Sequence, residues 1–218
     1  MGAQSFTAFA YRFDVLQKLG LTPATTLDEF TQLCADLQAK IDDGTINADA
    51  VIMNSTKDYA FYRGFVGIFH TWDTLYWNGT EWAFGPIEDN FREMLKYLKS
   101  LYDAGYIDSE FATADTNMCN EKASTGKALI CPTLWAGSAN SWNTAASDDS
   151  GIEWGLAYLP KNETYGTAWK WGSKLPGKSL NTNMGIFIGA ETENPEYMVA
   201  MIDYQYSDEM TTLLNWGV

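Results

Sequence analysis

Catalysis needs a nucleophile, a base and a charge stabiliser at fixed mutual positions, and this chain offers few such sets. Its single histidine, His70, lies beside Phe69 and Trp72. A Ser-His-Asp relay would have to use it, yet no G-x-S-x-G elbow is present. Glycoside hydrolysis needs two carboxylates facing each other across a cleft. With 28 acidic residues, any fold brings some pair together by accident, so the count carries no weight. Glycine-rich phosphate loops are absent. Asp115-Thr116-Asn117 has part of the spacing of a calcium loop, without the Gly and closing Glu of an EF-hand. Cys34, Cys119 and Cys131 form no C-x-x-C pair, so neither a metal centre nor another cofactor is expected. Cys34 falls on the apolar stripe Phe30, Leu33, Cys34, Leu37, Ile41 and reads as core. Cys119 and Cys131 are either free thiols or a disulfide pair.

What remains is recognition chemistry. Nine Trp and twelve Tyr are more than a core of this size holds. Some rings are expected on a surface, where they bind sugars, peptides or a partner. The net charge of −14, with no Lys/Arg cluster, excludes a nucleic-acid face and disfavours an anionic membrane surface. No apolar stretch reaches the ~20 residues of a membrane span. Met1-Gly-Ala-Gln-Ser-Phe6 has neither a basic nor an apolar region of a signal peptide. If the protein is exported, its leader is outside this chain. The N-x-S/T sequences at Asn54, Asn78 and Asn162 matter only in a eukaryotic secretory pathway.

The elements that would position these groups are mostly legible. Tyr11 to Leu19 reads as a helix stopped by Gly20 and Pro23. Thr26 and Glu29 have capping-box spacing, so a second helix runs from about Thr26 to Asp42. Ala50–Met53 is a buried strand or an extended entry to a helix at 59–69. Leu75–Trp77 and Glu81–Phe84 flank Asn78-Gly79, a pair suited to a type I′ turn. Phe91, Met94, Leu95, Leu98, Leu101 and Tyr102 set a 3.6-residue period over Glu88–Ala104, the longest expected helix. A shorter helix covers 115–125. Ala128–Cys131 is a strand stopped by Pro132, and 154–159 and 186–188 are further strands. Residues 135–184 are otherwise irregular. Asn194 with Pro195, and Ser207 with Asp208 and Glu209, open two closing helices. The first of these carries the stripe Tyr197, Met198, Met201, Ile202.

Several of these segments also match a family pattern. Tyr11-Arg-Phe-Asp-Val-Leu-Gln-Lys-Leu-Gly-Leu21 followed by Thr25-Thr-Leu-Asp-Glu-Phe30 resembles a signature of the extracellular solute-binding proteins of ABC importers. The hairpin Asn78–Phe84, the run Leu98-Lys-Ser-Leu-Tyr-Asp-Ala-Gly-Tyr-Ile-Asp-Ser-Glu-Phe111 and the segment Gly126-Lys-Ala-Leu-Ile-Cys-Pro-Thr-Leu-Trp135 are similar to later motifs of the family-1 and lipoprotein-like type. So are Asn194-Pro-Glu196, Tyr206-Ser-Asp-Glu209 and Asn215-Trp-Gly-Val218. The order and spacing are specific where each motif alone is not. The family's N-terminal sheet domain has no counterpart before residue 1, and family members continue past residue 218.

The resemblance implies an α/β, helix-rich lobe of a periplasmic-binding-protein-like fold, with a small sheet from 51–53, 128–131, 154–159 and 186–188 plus the 75–84 hairpin. Residues 1–218 would be a single C-terminal-type lobe, with the N-terminal lobe absent and 135–184 facing the cleft. It implies capture of a small-molecule solute, a saccharide on the Trp–polar composition, and a membrane permease as partner. It places the protein outside the cell, as a surface lipoprotein or in the periplasm, and makes it no enzyme. In that pattern Trp135 faces the cleft, as ligand platform or as packing. Asn140 and Trp142 with Asn143, Trp72 with Asp73, and Trp169 with Trp171 are further ligand candidates, each weighed against packing. Two other classes stay open: a self-contained carbohydrate-binding or adhesion module, and a hydrolase domain. Half a cleft predicts weak or no affinity in isolation.

Overall fold

In the computed structural model, Ala8–Arg12 is a strand, β1, with every residue buried. The structure describes residues 8–57, 61–78, 80–133, 137–147, 150–169 and 188–217. The chain divides into two compact units, Met1–Lys178 and Ser179–Val218.

In the first unit β1 pairs antiparallel with two strands that follow far along the chain, β5 (Ala128–Thr133) and β6 (Trp154–Tyr158), and a short β2 (Val51–Met53) lies parallel to β5. The sheet order is β2-β5-β1-β6. The expected helix from Tyr11 is therefore corrected. It begins at Phe13, and Tyr11 and Arg12 belong to a central strand. Period-2 alternation sends Phe9 and Tyr11 into one core and Ala10 into another, so both faces of the sheet are covered.

Helix α1 spans Phe13–Leu19 and ends where Gly20 adopts φ 69°, with Leu21 N donating to Leu16 O at 2.8 Å. This is the left-handed stop that a glycine supplies at least cost. Helix α2, Leu27–Asp42, starts on a complete capping box. Thr26 Oγ1 accepts from Glu29 N at 3.1 Å, and Glu29 Oε2 accepts from Thr26 N at 3.3 Å. Its stripe of Leu27, Phe30, Leu33, Cys34 and Leu37 is buried against the first core. Strand β2 is Val51–Met53. Tyr106 and Asp108 hydrogen-bond the outer edge of Met53.

Of the run expected as a helix over 59–69, residues 59 and 60 lie outside the described ones, and the rest is a 3-10 turn at Phe61–Gly64 followed by irregular turns. Phe65, Val66, Ile68 and Phe69 are all buried. The Gly67 carbonyl accepts from Trp169 N at 2.8 Å and from His70 N at 3.5 Å, in place of the i+4 donor of a regular helix. A Cβ on Gly67 would collide with the Trp169 carbonyl. Tertiary contact overrides the helical period here.

Strands β3 (Leu75–Trp77) and β4 (Trp82–Phe84) form the expected hairpin, in register Leu75↔Phe84, Tyr76↔Ala83, Trp77↔Trp82. Its turn differs from the expectation. Asn78 is not in the left-handed region that a type I′ turn needs at its first central position. Its N–H donates to Glu81 O, and its Oδ1 accepts from Thr80 N, Thr80 Oγ1 and Glu81 N. Asn78 flanks the turn and holds it through its side chain.

Helix α3, Asp89–Asp103, buries Phe91, Met94, Leu98 and Leu101, while Leu95 and Tyr102 stay about half exposed. It is one residue shorter than α2 (15 against 16), not the longest. Helix α4, Thr116–Ser124, is capped by the Asp115 carboxylate, which accepts from Met118 N at 2.9 Å. That use answers the calcium-loop spacing.

Strand β5, Ala128–Thr133, runs through Pro132 rather than stopping there. Ile130 O accepts from Asn54 N, so Ile130 faces β2. The two-residue period turns Pro132 to the same side, beyond the end of β2, where no ladder donor is missed. Helix α5, Gly137–Ala145, and β6, Trp154–Tyr158, give regular structure to part of the segment expected to be irregular.

The second unit contains α6, Pro195–Tyr204, and α7, Asp208–Trp216. Ser207 Oγ caps α7 through Met210 N at 3.2 Å. Asn194 precedes α6 as expected but caps it through its backbone carbonyl, not its side chain. Tyr197, Met198 and Met201 of the expected stripe are exposed. Of the expected strand 186–188, the first two residues lie outside the described ones, and Ile188 is not in a strand.

Candidate functional site

The turns after residue 61 and the strap at 165–169 assemble an aromatic and charged neighbourhood. Arg63 Nε donates to Asp73 Oδ2 at 2.6 Å, and the Asp73 side chain is only 5 % exposed against 35 % for Arg63. The carboxylate is thus anchored from one side by a half-exposed cation. Thr71 Oγ1 donates to Glu88 Oε2 at 2.9 Å, and Tyr76 OH donates to the same carboxylate at 2.9 Å. Burial, then the Glu88 carboxylate, pushes the Tyr76 phenol well above its usual range, so it stays a donor. Asn90 Nδ2 donates to the carbonyls of Phe69 and His70.

His70 has φ 51°, the single positive value at a non-glycine among the described residues. Its ring stacks on Trp169, with centroids 4.3 Å apart and planes 22° from parallel, and Nε2 donates to Thr167 O at 2.9 Å. A carbonyl only accepts, so Nε2 carries the proton, and the ring serves as a strut. Tyr165 and Tyr76 lie 5.8 Å from His70 and 6.1 Å from Trp169 respectively. Strained backbone held by surrounding contacts is a common mark of a ligand clamp.

The candidates from the sequence fall into three groups. Trp169 packs against the first core, to which Trp72 belongs at 8 % exposure, and Asp73 follows Trp72 on the Arg63 ion pair. Trp142 lies apart, in the second core. Its Nε1 donates to Asn120 Oδ1 at 2.8 Å, and its ring packs 5.0 Å from Trp154. Asn143 brackets the start of β6, accepting from Trp154 N and donating to Trp154 O. Asn140 is exposed on α5. Trp135 and Trp171 lie outside the described residues.

Sequence reasoning missed Arg63, Tyr76, Glu88 and the His70–Trp169 stack, which carry no local signal. It also missed the outer face of the hairpin. Leu75, Trp82 and Phe84 are about half exposed, and Trp77 and Trp82 meet edge to face at 5.9 Å. The alternation Leu75-x-Trp77 and Trp82-x-Phe84 could have found this face. A cavity of about 430 Å³ opens between the ends of α2 and α3 and β2, lined by Gln38, Val51, Ile52, Tyr102, Asp108 and Ser109 among others. None of the candidates lines it, and Asp108 is already paired with Lys122 at 2.6 Å. Among the described residues no group of three or more His, Cys, Asp or Glu is placed to hold a metal ion.

No family model matches the chain, and no curated protein matches it either. Solved structures do. The chain is similar to the alginate-binding protein AlgQ2 without calcium ion, at 19% identity and a TM-score of 0.59, over 100% of this chain and 45% of that one. It is similar to the S. pneumoniae ABC-transporter substrate-binding protein FusA, as an EF-hand mutant in complex with fructo-nystose, at 22% identity and TM-score 0.59, over 100% and 43%. FusA in complex with kestose gives 21% identity and TM-score 0.59, over 99% and 43%. The mixed α/β, helix-rich architecture with small sheets is thus that of part of a substrate-binding-protein fold. The chain spans less than half the length of these proteins.

Proposed function

We propose that this chain is one lobe of a receptor that captures a saccharide outside the cell and delivers it to an ABC importer. The observation that carries the reading is the fold likeness over the whole chain to proteins described as binding alginate, fructo-nystose and kestose. The aromatic neighbourhood adds chemical support. Flat faces such as Trp169 suit the apolar face of a pyranose or furanose ring, and a half-exposed cation such as Arg63, held in place by Asp73, suits its hydroxyls.

The work of such a receptor is binding, so it needs platforms and hydrogen-bonding groups rather than a nucleophile. The Nε2 of His70 is engaged with Thr167 O, which makes the ring a strut between two segments. A second lobe would complete the cleft, hinge closure would trap the solute, and the loaded form would dock on a membrane permease. Among the described residues no helix is long and apolar enough to cross a membrane. In this reading the protein is a surface lipoprotein or a periplasmic protein.

A thermal-shift screen with mono- and oligosaccharides tests the reading, run on this chain and on the full gene product. Ligand that binds only the native state raises Tm. A rise in the full product that is lost with Trp169→Ala is expected. No rise with any saccharide in either form would overturn it. An equal rise in the chain alone would instead indicate a self-contained carbohydrate-binding module.

A further inference from the structure

We propose that Cys119 and Cys131 are a disulfide-forming pair that ties helix α4 to strand β5 in an oxidising compartment. All three cysteines are free and buried. Cys119 is on α4 and Cys131 on β5, and both sulfurs face one nitrogen atom. Asn54 Nδ2 lies 3.3 Å from Cys119 Sγ and 3.7 Å from Cys131 Sγ, and donates to Cys119 O at 3.1 Å. Asn54 is fully buried, and its own N–H is fixed on Ile130 O at 3.0 Å. This amide therefore holds β2, β5 and α4 in one register, with the two thiols brought to the same point.

The two sulfurs are not equivalent. The neighbouring Cys131 thiol leads in holding the Cys119 thiol below its usual value, against the effect of burial and with help from Asn54. Burial pushes Cys131 up. Cys119, the less deeply buried of the two at 6 % exposure against 2 %, is then the attacking group and Cys131 the resolving one. The Cys119 thiolate attacks one sulfur of a small-molecule disulfide such as oxidised glutathione and releases one thiolate. The Cys131 thiolate then displaces the second. Two protein thiols are oxidised, the small disulfide is reduced to two thiols, and these take up the two protons. Cys34 is a built-in control, because it lies in the other core and burial pushes its thiol up to about 12.

The test uses the wild-type chain. It is incubated with oxidised glutathione, then denatured and alkylated, and its intact mass and tryptic peptides are read. Lys122 and Lys127 separate the two cysteines, so peptides 100–122 and 128–161 are joined only by the disulfide. The expected result is one alkylated thiol, Cys34, with those two peptides linked. Oxidation is also expected to raise Tm by roughly 5–10 °C, reversibly with a reductant and not in Cys131→Ser. Three alkylated thiols, a persistent glutathione adduct without closure, or a link through Cys34 would each overturn the proposal. None of these outcomes depends on the saccharide reading.

Discussion

His70 and Trp169 stack at 4.3 Å between ring centroids, although 99 residues separate them in the chain. The stack, the Nε2 bond to Thr167 O and the backbone bond from Trp169 N to Gly67 O strap residues 165–169 onto the turns of 65–70. This strap is what brings Trp169 towards the segment holding Trp72 and Asp73.

Trp169→Ala should lower stability by about 1–3 kcal/mol, since a half-buried ring and its stacking are lost. Trp169→Phe should restore most of that. If the ring is also a saccharide platform, both substitutions should weaken binding measured by calorimetry. Restored stability with undiminished affinity would remove Trp169 from the site.

Gly67→Ala discriminates between two structures of the same segment. In a regular helix the change would stabilise by about 1 kcal/mol. Here the new methyl would meet the Trp169 carbonyl, so we expect a drop of about 1–3 kcal/mol. Urea unfolding of the pair reads the sign directly.

Tyr11→Phe should leave stability unchanged or raise it by about 1 kcal/mol. The Tyr11 hydroxyl is buried and has no hydrogen-bond partner among the described residues. An unpaired buried polar group costs free energy that its removal returns. A clear loss of stability would mean that the hydroxyl is satisfied in solution.

Asp14 governs part of the acid response. Burial alone would raise its pKa, but the Arg12 guanidinium, bonded at 2.6 and 2.7 Å, and the Glu153 N–H outweigh it and hold the carboxyl below its usual range. A depressed folded-state pKa gives stability that is present above the unfolded value, about 4, and lost as pH falls through the folded one. Asp14→Asn should therefore destabilise near neutral pH and show a shallower loss below about pH 4. Parallel acid titration curves for the two proteins would exclude the role.

The sequence by itself determined the elements whose signals are local. The Thr26–Glu29 capping box, the Gly20 stop, the 75–84 hairpin, the α3 stripe and the Ser207 cap each depend on residues a few positions apart, and each stands where it was expected. The order of these motifs also led to the fold class. The candidate site was legible only as a set of residue types. Trp169 stacks on His70, which lies two and three residues before Trp72 and Asp73, while Trp142, chosen on the same grounds, is spent on Asn120 and Trp154.

Tertiary structure alone decided what depends on distant partners. Ala8–Arg12 is a strand because β5 and β6 lie on either side of it, and no pairing of Ala10 with Cys131 and Leu156 is written near residue 10. The 59–69 run has helical spacing, but the strap occupies the Gly67 carbonyl. Burial decides which aromatic ring packs and which faces a ligand, and burial is set by neighbours tens of residues away. A periodic pattern records that a face is apolar, not what covers it.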